Sequence, residues 1–233
     1  QLEIQKAEKS ELIAEKEMEK ETLTKEIGEK QGLIEQLKTK EQELRAQIRK
    51  EEEIARKIQK QIEEIIAEEA RKAAERSTGG KTIMMTPEDK IISDEFGNNQ
   101  KRLPWPTERG IVTQKFGDNP HPVLKGVIIR NDGVEITTTP NATARAIFKG
   151  EVSRVFAIPG ANKAVIIRHG NYLTVYSNLK DVIVKPGEKV GTKQNIGVIY
   201  TDKSENDKTI IKFQIWKESN KLNPEEWLVK GGG

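Results

Sequence analysis

Leu124-Lys125-Gly126-Val127-Ile128-Ile129-Arg130-Asn131-Asp132-Gly133-Val134-Glu135-Ile136 is the stretch on which the reading of this chain turns. Val127 and Ile129 alternate into Asn131-Asp132-Gly133, and Val134 and Ile136 alternate out of it. A period of two on either side of an Asp-Gly turn predicts two short strands joined as a hairpin. The same signal, short β-branched and aromatic runs punctuated by Gly and Pro, recurs at residues 110–116, 143–148, 150–158, 164–169, 172–177, 181–184, 194–200 and 209–216. Together these runs predict an all-β domain over residues 103–230. Pro186-Gly187 supplies a β-turn inside it, and Leu222-Asn223-Pro224 reads as a closing turn because Pro224 has no N–H for a ladder.

Upstream the chemistry changes. The whole chain is 34% hydrophobic and 33% charged, too polar for one compact core. The excess charge sits in residues 1–76, which are almost entirely Glu, Lys, Gln, Arg, Ala, Leu and Ile. From Leu23 the apolar residues keep a 3/4 alternation through Ile27, Ile34, Leu37, Leu44, Ile48, Ala55, Ile58, Ile62 and Ile65, with Lys30, Glu41 and Glu51 at the remaining seam positions. A seam this narrow and this long predicts a coiled-coil helix of about 100 Å, to be covered by a second copy or by another helix. Gly28 and Gly32 each cost about 1 kcal/mol against Ala, and Lys9, Lys16 and Lys20 interrupt the phase further upstream. The first third of the coil is therefore expected to pair loosely or bend.

Between the two architectures, Ser77-Thr78-Gly79-Gly80 is a helix stop and a joint, and residues 77–102 form a linker. Gly79-Gly80-Lys81-Thr82 resembles the end of a phosphate-binding loop. Glu75 stands where that motif requires Gly, however, and a helix precedes it instead of a strand. Thr86-Pro87-Glu88-Asp89 then signals a new helix over residues 87–98, with Ile91, Ile92 and Phe96 on its apolar side. Two roles fit it: packing on the β domain, or a movable regulatory cover.

Several function classes are excluded or disfavoured by composition. Basic and acidic residues, 40 and 37, are interleaved, so neither nucleic acid nor an anionic membrane is indicated. With no cysteine, disulfide frameworks, cysteine-ligated zinc fingers and thiol catalysis are out. No transmembrane run or signal peptide is present, and the chain opens at Gln1 inside a helical pattern. It reads as a fragment whose export signal lies outside it.

The β-domain motifs carry a resemblance. Leu103-Pro104-Trp105-Pro106, Gly110-Ile111-Val112 to Phe116-Gly117, Gly133-Val134-Glu135-Ile136, Ala144-Arg145-Ala146 with Gly150-Glu151-Val152, and Val165-Ile166-Ile167-Arg168-His169-Gly170 form its first half. Tyr176-Ser177-Asn178-Leu179, Val184-Lys185-Pro186-Gly187 with Ile196-Gly197, Phe213-Gln214-Ile215, and Leu222-Asn223-Pro224 with Trp227-Leu228 form its second. In this order and spacing they resemble a LytM domain of the lysostaphin-type metallopeptidases. With the coil in front, the whole resembles the EnvC-type murein hydrolase activators.

Catalytic members of that family hold zinc through H-x-G-x-D and H-x-H-F motifs and use a Y-x-H-L histidine to assist water. Aligned on Gly133, Tyr176 and Phe213, the ligand positions here are Asn131, Glu135 and Lys212, and the assisting positions are Asn178 and Ile210. A catalytic zinc takes three protein ligands and an open site, so the resemblance implies an emptied centre and no cofactor. His121 and His169 fall on none of these positions, and His169 is expected in a turn.

What the resemblance implies is a non-enzymatic activator in the periplasm or cell envelope. Its groove, marked by Asn131, Glu135, Tyr176, Asn178 and Lys212, would bind a peptidoglycan amidase. Its coil would be held by a division-associated, transporter-like membrane complex, and residues 87–98 would cover the groove. A peptidoglycan-binding structural module and a zinc endopeptidase with unusual ligands are the alternatives.

Overall fold

The structure, a computed structural model, describes residues 2–75, 87–121, 124, 126–157 and 162–231. The joint expected at 77–80 and the cap expected at Thr86 lie outside the described residues. The described chain divides into two compact units, residues 1–57 and residues 58–233. The division falls inside the long helix, well before the boundary that composition alone suggests near residue 76.

Residues of the first unit belong to helix α1, Leu2–Glu75, which runs unbroken through Gly28 and Gly32. Its straight-chain side chains favour helix intrinsically, and Glu41–Arg45 and Glu53–Lys57 add exposed i to i+4 ion pairs at 2.9 and 2.8 Å. The seam residues Leu23, Ile27, Ile34 and Leu37 are exposed. The helix is thus formed, with its apolar stripe open along this unit.

The second unit is the β domain together with two helical pieces, the end of α1 from Ile58 and α2, Pro87–Asn98. Its main sheet is antiparallel, with order β1 (Ile111–Gln114), β4 (Val134–Thr138), β12 (Lys208–Lys217), β8 (Tyr172–Val182), β7 (Lys163–His169), β6 (Gly150–Ala157) and β9 (Lys189–Val190). Strand β10 (Asn195–Ile199) pairs with β5 (Thr143–Arg145) and with the far half of β8. Strands β11 (Thr201–Asp202) and β13 (Asn220–Leu222) extend β12 at either end, and the closing turn is a 3-10 helix, Pro224–Glu226, capped by the Asn223 side chain. Where two strands are expected at 172–177 and 181–184, one strand runs through. It bends at Asn178, whose positive φ of 69° an asparagine tolerates better than most residues.

The hairpin expected at Asn131-Asp132-Gly133 does not form. Strand β3 (Ile128–Asn131) pairs with β2 (Gly117–Pro120) in a separate two-stranded sheet, whereas β4 enters the main sheet between β1 and β12. The local chemistry is a turn, with the Asn131 Oδ1 accepting the Gly133 N–H at 3.2 Å. Close approach to β12 decides where the chain goes next, because a Cβ on Gly133 would lie 2.2 Å from the Phe213 carbonyl oxygen. Only glycine lets β4 reach its neighbour there. Gly133→Ala is expected to destabilise the domain by about 2 kcal/mol, as overpacking against backbone does. Urea denaturation followed by tryptophan fluorescence measures it.

Period-two alternation gives the sheet two different faces. Val134 and Ile136 of β4, Ile211, Phe213 and Ile215 of β12, Tyr172 and Tyr176 of β8 and Val165 and Ile167 of β7 bury one face in the main core. Glu135, Lys212, Gln214, Trp216, Leu173, Val175, Ile166 and Arg168 fall on the other. That second face carries a smaller apolar cluster, in which Ile62 and Ile66 of α1 pack on Ile166, Leu173, Val175 and Trp216.

Candidate functional site

Ladder register sets the second face out in rows. Glu135, Lys212, Ser177 and Ala164 are successive cross-strand partners on β4, β12, β8 and β7. Two residues further along come Gln214, Val175, Ile166 and Arg154, and two further again Trp216, Leu173, Arg168 and Glu151. Rows spaced by two residues lie about 7 Å apart.

The first row brings together Glu135 and Lys212 of the positions singled out in the sequence, while Asn131 ends β3, Asn178 follows Ser177 on β8 and Ile210 precedes Lys212 by two residues on β12. Lys212 Nζ and Glu135 Oε1 are 2.9 Å apart, and the lysine side chain is 55% exposed while the glutamate is 15% exposed. The ammonium thus neutralises the carboxylate at one of the expected ligand positions. Asn131 spends its Oδ1 on Gly133, and its buried Nδ2 has no hydrogen-bond partner among the described residues. Asn178 donates its Nδ2 to the Ile210 carbonyl at 2.6 Å and accepts from Asn162 at 2.7 Å, so its amide braces the bend in β8. The Ile210 side chain is half-buried and offers no donor atom. Among the described residues no three His, Cys, Asp or Glu side chains cluster as metal ligands. A donor set of one ion-paired carboxylate, two committed amides, an ammonium and an aliphatic chain does not fit zinc.

Tyr176 departs from its expected place lining the groove. Its ring lies in the main core at 5.2 Å from Phe213, and its hydroxyl accepts the Ile147 N–H at 2.9 Å. Burial pushes its phenol pKa far up, so it stands neutral beneath the site as a support.

Helix α2 also departs from the cover role. Phe96 is fully buried, stacks with His169 and Tyr172 at 5.0 and 4.7 Å and meets Trp227 tilted at 5.4 Å, while Ile91 is exposed and Ile92 half-buried. Ser93 Oγ accepts the Asn171 N–H, placing α2 on the β7–β8 turn. Tyr172 and Asn178 are six residues apart on β8, about 20 Å, so α2 sits at the far end of that strand from the site. His169, expected in a turn, closes β7 as a buried core residue between the Lys149 carbonyl and Thr174.

What does lie beside the site is the end of α1. Gln59 meets Gln214 at 3.1 Å, and Glu63 meets Lys221 at 2.8 Å. Farther along, Glu68 and Glu69 reach Arg154 at 2.9 and 3.6 Å, and Glu69 reaches Arg168 at 4.0 Å. Residues 58–69 thus cross from β12 to β6 over the second and third rows. Ile62 and Ile66, each 1% exposed, contribute about 1.5–3 kcal/mol apiece by burial, whereas the partly exposed ion pairs contribute little beyond register. In the sequence Ile58, Ile62 and Ile65 belong to the coiled-coil seam, and nothing in that pattern names the sheet as its cover. A signal was present: Ile65-Ile66 widens the stripe from a two-residue seam to the broader face of a helix on a globular core.

The architecture is a long helix followed by an antiparallel β domain of the M23 peptidase fold. Residues 130–224 match the profile of Peptidase family M23. An uncharacterized protein of Neisseria meningitidis serogroup B is 30% identical over 139 residues, covering 58% of this chain and 22% of the relative. The matched segment is thus about a fifth of that relative's length. Among solved structures, Helicobacter pylori Csd3 is 22% identical with a TM-score of 0.46, over 56% of this chain and 36% of that one. A zinc-containing peptidase from Vibrio cholerae is 21% identical with a TM-score of 0.46, over 56% and 40%. No helix among the described residues is long and apolar enough to cross a membrane.

Proposed function

We propose that this chain is a non-catalytic, EnvC-type activator of a peptidoglycan hydrolase, acting in the cell envelope on an N-acetylmuramoyl-L-alanine amidase. The observation that carries the reading is the Glu135–Lys212 ion pair, at 2.9 Å, where the catalytic relatives need a carboxylate and an imidazole for metal. An M23 fold with Asn131, Glu135 and Lys212 at the ligand positions is suited to binding, and the strip from Asn131 and Glu135 to Lys212 is the partner surface. Regulation then falls to residues 58–69 of α1, which occupy the sheet face next to that strip. The rest of α1 is the handle, held by a division-associated membrane complex whose movement frees the face.

The test is an amidase assay on purified peptidoglycan with three additions: buffer, this chain, and the chain carrying Ile62→Asp with Ile66→Asp. Two carboxylates in place of two buried isoleucines undock the helix end, so the variant is expected to raise amidase turnover at least about tenfold over the parent chain. Circular dichroism confirms that its β domain is folded. If a folded variant neither binds the amidase nor changes its rate, the activator reading fails. Retention on peptidoglycan alone would then favour a structural wall-binding module, and stoichiometric zinc with peptide cleavage would favour an endopeptidase.

A further inference from the structure

Lys221 stands on β13, apart from Asn131, Glu135 and Lys212, yet it bridges α1 and the turn that carries Asn131. Its Nζ lies 2.8 Å from Glu63 of α1 and 2.9 Å from Asp132, and 5.3 Å from the centre of the Trp216 ring. Asp132 is the central residue of the Asn131-Asp132-Gly133 turn, whose Asn131 amide holds the Gly133 N–H. Trp216 is one of the four sheet residues on which Ile62 and Ile66 pack. The exposed Arg130 guanidinium, 3.9 Å from Asp132, is the other cation at that carboxylate.

We propose that Lys221 is a positioning residue that couples docking of the α1 end to the conformation of the Asn131–Gly133 turn. With helix residues 58–69 docked, one ammonium is shared between two carboxylates on separate segments, and the Trp216 ring beneath it is dry. Departure of the helix removes Glu63 and wets Trp216, and the ammonium then rests on Asp132 alone. The turn that presents Asn131 and leads into Glu135 is thereby held differently in the two states. Coupling of this kind is reciprocal: whatever grips the turn changes how firmly the helix is docked, by the same factor. Its consequence for a partner rests on reading the Asn131–Lys212 strip as the binding surface; the coupling itself does not.

Hydrogen exchange read by mass spectrometry on the chain alone separates the two. Asp132→Asn, which touches nothing on α1, is expected to change amide exchange in residues 58–69 by about threefold or more, and Glu63→Gln to change exchange in residues 128–136 by a similar factor. In a Lys221→Met background both cross-effects shrink to less than about twofold, and Lys221→Arg restores them. Should Lys221→Met not fold, the Glu63→Gln, Asp132→Asn double variant replaces it, with non-additive exchange as the expected result. Cross-effects that are absent, or that persist unchanged in Lys221→Met, overturn the proposal. Amidase binding measured on the same variants is a separate arm: cross-effects without any binding would sink the groove reading and leave the coupling standing.

Discussion

Phe96→Ala is expected to destabilise the β domain by about 3–5 kcal/mol, measured as the free energy of urea unfolding, the range for deleting a buried phenyl ring. The ring is fully buried and meets Phe148 edge-on at 5.5 Å and Trp227 tilted, besides stacking on His169 and Tyr172. Most of that loss is cavity and lost contact, with the aromatic geometry adding a smaller part. The neighbouring Ile91→Ala, at a side chain 57% exposed, is expected within about 0.5 kcal/mol of the parent. This pair of values separates the two roles for α2. A movable cover would lose little stability on either substitution and gain partner binding; a structural helix loses stability at Phe96 alone. The same comparison explains why deleting residues 87–98 is a poor test of regulation. It would open the main core, and any change in binding would follow from that.

Acid is expected to destabilise the same region through His169. Desolvation in the core lowers the imidazole pKa from 6.5 to about 4, outweighing the hydrogen bond to the Lys149 carbonyl, which acts in the opposite direction. The Lys149 carbonyl can only accept, so Nδ1 carries the proton, and Nε2 accepts from the Thr174 hydroxyl in the neutral ring. Because the folded pKa lies below the unfolded one, the unfolded chain binds more protons in the intervening window. The contribution is complete above pH 6.5, declines as pH falls, and is fully lost below about 4. At pH 4.5 the loss relative to neutral pH comes to roughly 2–3 kcal/mol. Urea unfolding at a series of pH values measures it, and NMR titration of the imidazole assigns it. A His169 resonance that titrates near 6.5 in the folded protein would refute this account.

Both residues bear on how the site is held. Gly150 lets β6 close against this region, since a Cβ there would lie 2.6 Å from the His169 ring. Phe96, His169 and Tyr172 fix the end of β7 and β8 away from the site, whereas Asn178 with Asn162 and Ile210 fixes the bend beside it. Ser177 of the first row stands one residue from that bend, so the brace at Asn178 acts directly on the row.

The sequence by itself determined the two architectures, most strand positions and the residue types at Asn131, Glu135 and Lys212. Period and composition distinguish a helix rich in Glu, Lys and Leu from Gly-punctuated β strands without any tertiary information. Residue identity alone is enough to see that Asn131, Glu135 and Lys212 make a poor zinc site. Partnership was decided only in three dimensions. Asn131-Asp132-Gly133 reads locally as a hairpin, but the bare backbone of Gly133 is used to approach Phe213, and the two strands part into different sheets. Ile58, Ile62 and Ile65 read as a seam for another helix, yet an apolar stripe does not encode what will cover it. Here the cover is a sheet face assembled from β7, β8 and β12, residues more than ninety positions away. Lys221 carries no motif at all, and its place between Glu63 and Asp132 exists only once three distant segments have met.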